Sequence, residues 1–229
     1  MMRSSLLQNR FHGFGTKEDG DGRDVGTIKN ILQKAGSRYS SIIIPQQTHS
    51  TNVETVEKSK GIDLVHISNC DGLVTSQNGI VLTVLTADCV PMIYSDPVAG
   101  VIGISHGGWR GILHDIVKNV ISAMEKAGSD RGNIQVAVGP CVDSCCYEIY
   151  GQRKHDFEAI FDKSIFTKHE DKTYLSLAKA CKTLLINSGI ANANIEIVKS
   201  CTSCHESKFY SYHRDGKIIG EMASFMQLS

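Results

Sequence analysis

Hydrophobic residues along the chain fall into short blocks of two periods. Ser41–Pro45 (SIIIP) reads as a short buried strand, and Asn52–Glu57 alternates Val with polar residues as a half-buried strand does. Gly79–Ala87 (GIVLTVLTA) is a near-continuous β-branched run, the pattern of a central strand covered on both faces, and Val98–Ser105 is another. From Ile112 the period changes: Ile112, Leu113, Ile116, Val117, Val120, Ile121 and Met124 mark one helix face, and Gly128 supplies the stop. Ile134–Val138 predicts a further strand. Tyr147–Phe161 and Leu175–Asn187 predict helices, and Ile195–Ser200 and Lys208–Tyr212 strands, with Asp215-Gly216 turning into a last apolar strand. The Gly- and Asp-rich segment 13–23 reads as an exposed loop. Strands and helices mix without strict alternation. The expected class is α/β (α+β): a layered sandwich of mixed sheets flanked by helices, and one catalytic domain over residues 1–229.

Charge narrows the partners. Lys plus Arg (24) equals Asp plus Glu (24), which argues against duplex DNA and anionic membranes. The apolar runs stop short of a membrane span, and the Met1-Met2-Arg3 start carries no export pattern, so a cytoplasmic enzyme is expected. The eight cysteines then read as reduced thiols, some buried and some ligating metal.

Three segments place a His or Cys just after an apolar strand: QQTH ending at His49, TADC ending at Cys89, and SHGGWRG containing His106. Strand ends gather into one crevice in layered folds. Two imidazoles and a thiolate suit Zn²⁺, or copper, better than Mg²⁺ or Ca²⁺, and three protein ligands leave a position open. The plainer alternative is two hydrogen-bonded histidines and a core cysteine. Gly107-Gly108-Trp109-Arg110-Gly111 joins a strand to the Ile112 helix, where backbone N–H groups and Arg110 could hold phosphate; a tight turn with Trp109 in the core is the alternative. Cys201-Thr202-Ser203-Cys204 is half of a four-ligand zinc site that Cys141, Cys145 and Cys146 could complete, but we read these thiols as core.

Taken in order, QQTHS, CDGLVT, TADCVPMIYSDP, GISHGGWRG, VGPCVDSCCYEI and CTSCHESKFYSYHRDG resemble one enzyme family from about Ile42 to Tyr212. It is the family long described as multicopper polyphenol oxidase (laccase domain) and now regarded as purine nucleoside phosphorylase with adenosine deaminase activity. The resemblance implies zinc at His49, Cys89 and His106 in a layered α/β/α arrangement. It also implies phosphorolysis of adenosine, inosine, guanosine and methylthioadenosine, and deamination of adenosine. Purine nucleosides and phosphate are the expected partners. Gly107, Gly108 and Lys17 are expected to bind substrate, with Arg110 clamping phosphate. Asp88 is either an acid/base, a partner of a ligating His, or a structural carboxylate. The chain departs from the family pattern where Lys17 stands for an expected Arg, and at His213 and Glu221, near which an Arg-rich ending is expected. Three other readings compete: a copper-dependent phenol oxidase, a Cys89–His106 hydrolase, and a zinc-stabilised binding module.

Overall fold

A computed structural model describes residues 1–57, 64–217 and 219–228. Two mixed sheets pack face to face. The first has five strands in the order Phe11–Phe14, Met222–Gln227, Ile80–Thr86, Ser41–Pro45 and Leu64–Ile67. Its first two joins are antiparallel and the others parallel. The second has six strands in the order Ile195–Ile197, Gln135–Val138, Val90–Asp96, Val101–Gly107, Gly72–Thr75 and Val53–Thr55. Its two outermost joins are parallel and the inner three antiparallel. A small antiparallel sheet of Glu148–Ile149, Lys172–Leu175 and Phe166–His169 stands apart.

The period of two decides which core each residue joins. Ile80, Leu82 and Val84 point between the sheets to meet Ile93, Ile102 and Ile104. Val81 and Ile42 point the other way, onto Ile28, Ile31 and Leu32 of the Val25–Lys34 helix. The outer face of the six-stranded sheet carries Met92, Tyr94 and Val136 under helices Ile116–Lys126 and Leu177–Asn187. The result is helix, sheet, sheet, helix, the layered mixed-sheet class expected. No helix among the described residues is long and apolar enough to cross a membrane.

Local differences from the expected elements have local causes. The Ile112 helix is two helices, Trp109–Leu113 and Ile116–Lys126, broken where Asp115 takes φ 60° and caps the second by accepting from Lys118 N. The helix expected from Tyr147 starts at Gly151, because Glu148 and Ile149 pair with Tyr174 and Thr173. Lys208–Tyr212 is not a strand: the Lys208 and Phe209 amides both donate to the His205 carbonyl, and Tyr212–Asp215 forms one helical turn. Segment 13–23 is not all exposed loop. Gly13 and Phe14 belong to a buried strand, and a Cβ on Gly15 would lie 2.6 Å from the Ala223 carbonyl. Val98 is 76% exposed, and the strand expected from it begins at Val101.

Candidate metal centre

The sheet topology brings the three strand exits together. His49 ends the loop after Ser41–Pro45, Cys89 sits in the link from Ile80–Thr86 to Val90–Asp96, and His106 faces Pro91 across the antiparallel pair. One donor atom from each of the three lies within 4.8 Å of the others. Cys89 Sγ is 3.8 Å from His49 Nε2, and the two imidazoles meet edge to face at 4.8 Å. His49 (φ 60°) and the neighbouring Asp88 (φ 93°) both adopt left-handed backbone, a conformation held only where surrounding contacts over-determine it.

Those contacts come from two buried carboxylates. Asp71 is fully buried, and its Oδ1 accepts from His106 Nδ1 at 2.8 Å and from His49 N at 3.1 Å. Its Oδ2 accepts from Ser50 N at 2.7 Å, Ser50 Oγ at 2.6 Å and Thr48 N at 3.1 Å. One carboxylate thus fixes the His49 loop and, through Nδ1, leaves Nε2 of His106 to face Cys89. Asp88 braces the opposite side. Its Oδ1 accepts from Thr202 Oγ1 at 2.5 Å and its Oδ2 from His213 N at 2.6 Å, so both oxygens hold the chain in place. The carboxylate oriented on a ligand histidine is therefore Asp71, which the sequence reading did not single out; it lies in the quoted CDGLVT segment, far in sequence from either histidine.

Electrostatics follow from this packing. Burial alone would raise the Asp71 pKa, but the hydrogen bonds from His106 and Ser50 outweigh it and hold the carboxyl well below the aspartate range. Burial would also raise Cys89 and lower His106. The Cys89–His106 attraction wins in both, bringing the thiol down to about 7 and the imidazole up to about 10. The attraction favours thiolate and imidazolium together, and a thiophilic cation binding there would displace a proton from the pair.

The residues present fit such an ion. Two imidazoles and one thiolate are borderline-soft donors with no fourth protein ligand among the described residues, the composition of an open zinc or copper site. The backbone makes room for them: a Cβ on Gly108 would lie 2.5 Å from His49 Cδ2 and 3.3 Å from Nε2. On Gly111 it would lie 3.0 Å from the Ser50 carbonyl. These glycines let the His49 loop close over the strand–helix junction.

The centre opens into a cavity of about 810 Å³, lined by His49, Cys89 and His106 and by Asp88, Trp109, Tyr147, Arg153, Tyr212, His213 and Glu221. Arg110 and Lys17 do not line it. Arg110 is exposed with its guanidinium 4.5 Å from the Trp109 ring centroid, and the Lys17 ammonium lies 5.4 Å from that of Tyr210. Gly107 ends a buried strand and Gly108 caps a helix of only five residues. The cation on the wall is Arg153, which the sequence reading missed because a lone Arg in a polar helix carries no signal. It lies 4.4 Å from the Trp109 centroid and donates from Nη1 to Tyr147 Oη at 3.1 Å. Its Nε is buried without a partner. His213 and Glu221, singled out as departures from the family pattern, both reach the cavity. Burial raises the Glu221 carboxyl pKa.

Comparison with known proteins agrees with this arrangement. Residues 12–229 match the family model described as multi-copper polyphenol oxidoreductase laccase. The chain is 30% identical to purine nucleoside phosphorylase LACC1 of Mus musculus over its whole length, and spans 58% of that longer protein. It is 31% identical to adenosine deaminase RL5 of an unknown prokaryotic organism, over 81% of this chain and 74% of the relative. Its fold superposes on the crystal structure of Bacillus licheniformis hypothetical protein YfiH with a TM-score of 0.88 and 25% identity, covering 97% of this chain and 94% of that one. With the sheet topology, the three-donor centre and these similarities together, the chain belongs to the multi-copper polyphenol oxidoreductase laccase family, whose curated relatives include purine nucleoside phosphorylases and an adenosine deaminase.

Proposed function

We propose that the protein is a zinc-dependent purine nucleoside phosphorylase that also deaminates adenosine. One observation carries the reading: three soft donors, with no fourth ligand among the described residues, stand at a cavity of about 810 Å³ whose wall holds the Arg153 guanidinium. Such a volume suits a nucleoside-sized ligand. The names of the relatives support the substrate class. Eight free thiols suit the reducing cytoplasm in which we place it.

His49, Cys89 and His106 would hold the ion, and Asp71 would orient His106 toward it. Bound there, Zn²⁺ supplies a Lewis acid and a route to hydroxide near neutral pH. The remaining roles belong to side chains of this chain. Trp109, Tyr147 and Tyr212 offer aromatic surface to the base. Arg153, on the cavity wall beside Trp109 and Tyr147, would offer its guanidinium to phosphate oxygens, a charge-assisted contact. Glu221, its carboxyl raised by burial, retains a proton to higher pH and can protonate the departing purine as its bond to ribose breaks. Asp88 accepts from Thr202 and from the His213 amide and so positions both segments at the cavity wall.

The family description favours a second reading, copper-dependent oxidation of phenols. One assay separates the two. Protein loaded with zinc and given inosine should release hypoxanthine only when phosphate is present, and ammonia from adenosine with or without it. Copper-loaded protein that oxidises phenols while the zinc form leaves both nucleosides intact would establish the oxidase instead.

A further inference from the structure

A second group of metal-ligating side chains lies outside the three-donor centre. Cys145 and Cys146 are adjacent on the loop between Gln135–Val138 and the Glu148–Ile149 strand. Cys201 and Cys204 form a CxxC turn after Ile195–Ile197. The two segments are joined at Cys141 and Cys201 by a parallel bridge, with Thr202 N donating to Cys141 O at 3.0 Å. All four sulfurs of Cys145, Cys146, Cys201 and Cys204 lie within 4.8 Å of one another. Cys204 Sγ is 3.3 Å from both Cys145 and Cys146 Sγ.

A buried thiol-rich core does not account for this. Cys70, Cys141, Cys181 and, of the four, Cys201 are buried core residues, but Cys145 and Cys204 are exposed and Cys146 is half-exposed. A disulfide would use two sulfurs and leave the other two crowded beside it. One tetrahedral ion uses all four: thiolates ~2.3 Å from zinc stand ~3.8 Å apart, close to the spacing here. We propose that Cys145, Cys146, Cys201 and Cys204 form a second, closed four-sulfur site that binds one structural Zn²⁺. Four sulfurs this close leave room for a single ion. Binding forms four Zn–S bonds and breaks the S–H bond of each sulfur still protonated, releasing one proton for each, up to four, with no change of oxidation state.

The site has a mechanical consequence. Its two loops build one wall of the cavity: the Cys146 carbonyl accepts from His213 Nε2 at 3.0 Å, and Thr202 holds Asp88. Tyr147, next to Cys146, packs edge to face with the His213 ring at 5.8 Å. Arg214 ties the CxxC turn to the following helix through the Thr202 and Ser203 carbonyls at 3.1 and 3.4 Å. An ion among the four sulfurs would staple these segments together, with no open position for substrate.

Elemental analysis of protein purified with reductant and zinc, then freed of excess metal, tests the proposal independently of the catalytic reading. The Cys145→Ser/Cys204→Ser variant should lose one zinc per chain, and His106→Ala a different one, so that the combined variant loses both. Zinc content unchanged by the double serine substitution would overturn the site, whatever His106→Ala does. Differential alkylation of the wild-type protein gives a second readout that needs no variant. Cys145 and Cys204 should resist iodoacetamide while zinc is bound and react once a chelator removes it. Rapid labelling of both thiols in zinc-loaded protein, or a disulfide joining any two of the four, would also overturn the proposal.

Discussion

Asp71 joins the two halves of the candidate metal centre through a single carboxylate, and its removal is the sharpest test of how the centre is held. Asp71→Asn keeps the volume and removes the charge that orients His106. Zinc affinity should fall by about 10–100-fold, read by competition with a chromogenic chelator. The accompanying pH dependence has a definite sign. Because the folded carboxyl is held below its ordinary value, its stabilising contribution is present above the unfolded pKa of ~3.9 and fades as pH falls through the lowered folded value. The stability difference between wild type and Asp71→Asn should therefore be full at neutral pH and close in strong acid; a gap that widens in acid would contradict it. Arg153 is the second residue to test. Losing one charge-assisted contact of about 1.5–3 kcal/mol should raise the phosphate KM roughly ten- to hundredfold in Arg153→Ala. Arg110→Ala, which removes an exposed guanidinium from the outer side of Trp109, should leave phosphate saturation near wild type. Equal losses in the two variants would return the anion to the Arg110 loop. His49, Cys89 and His106 were legible in the sequence because each stands at or just beyond the end of an apolar strand. Asp71 was not, since its partners lie more than 20 residues away, and Arg153 was not, since a lone Arg in a polar helix does not show that it stands against Trp109.

Elements built from strong period-two or period-3.6 patterns were legible, and those governed by single turn residues were not. The buried Ile80–Thr86 and Ser41–Pro45 strands stand where their β-branched runs predict. The Val25–Lys34 helix buries only three residues, too thin a stripe against its polar face to stand out. Asp115 breaks one apolar stripe into two helices because it caps the second helix from a left-handed conformation, which periodicity cannot register. Glycines carry a related signal at the strand–helix junction. Gly108 has φ −71°, so an alanine there is free of backbone strain and meets the His49 ring first. Gly108→Ala should push His49 from its donor position. An overpacking cost of about 1–3 kcal/mol corresponds to roughly a five- to 150-fold loss of metal affinity. Circular dichroism and the thermal midpoint of the metal-free protein should stay close to wild type. A metal affinity unchanged by the added methyl would show that the His49 loop is not held against Gly108.

At the scale of the whole molecule, two sheets and the loops at one end place a charged, strained and thiol-containing centre at the floor of a large cavity, while three apolar cores hold the layers together. The layered class was legible because each central strand is apolar on both faces; strand order was not, because it depends on pairings such as Met222–Gln227 between Phe11–Phe14 and Ile80–Thr86, drawn from opposite ends of the chain. The central claim is that the His49–Cys89–His106 centre carries the chemistry. Its most direct test is the phosphate-dependent rate of inosine cleavage, measured as zinc is titrated into metal-free wild-type protein and into folded Cys89→Ala. The account predicts a wild-type rate that rises with zinc to saturation and a Cys89→Ala rate near background at every zinc concentration. A Cys89→Ala variant that cleaves inosine as fast as wild type, or a wild-type rate indifferent to zinc, would contradict it.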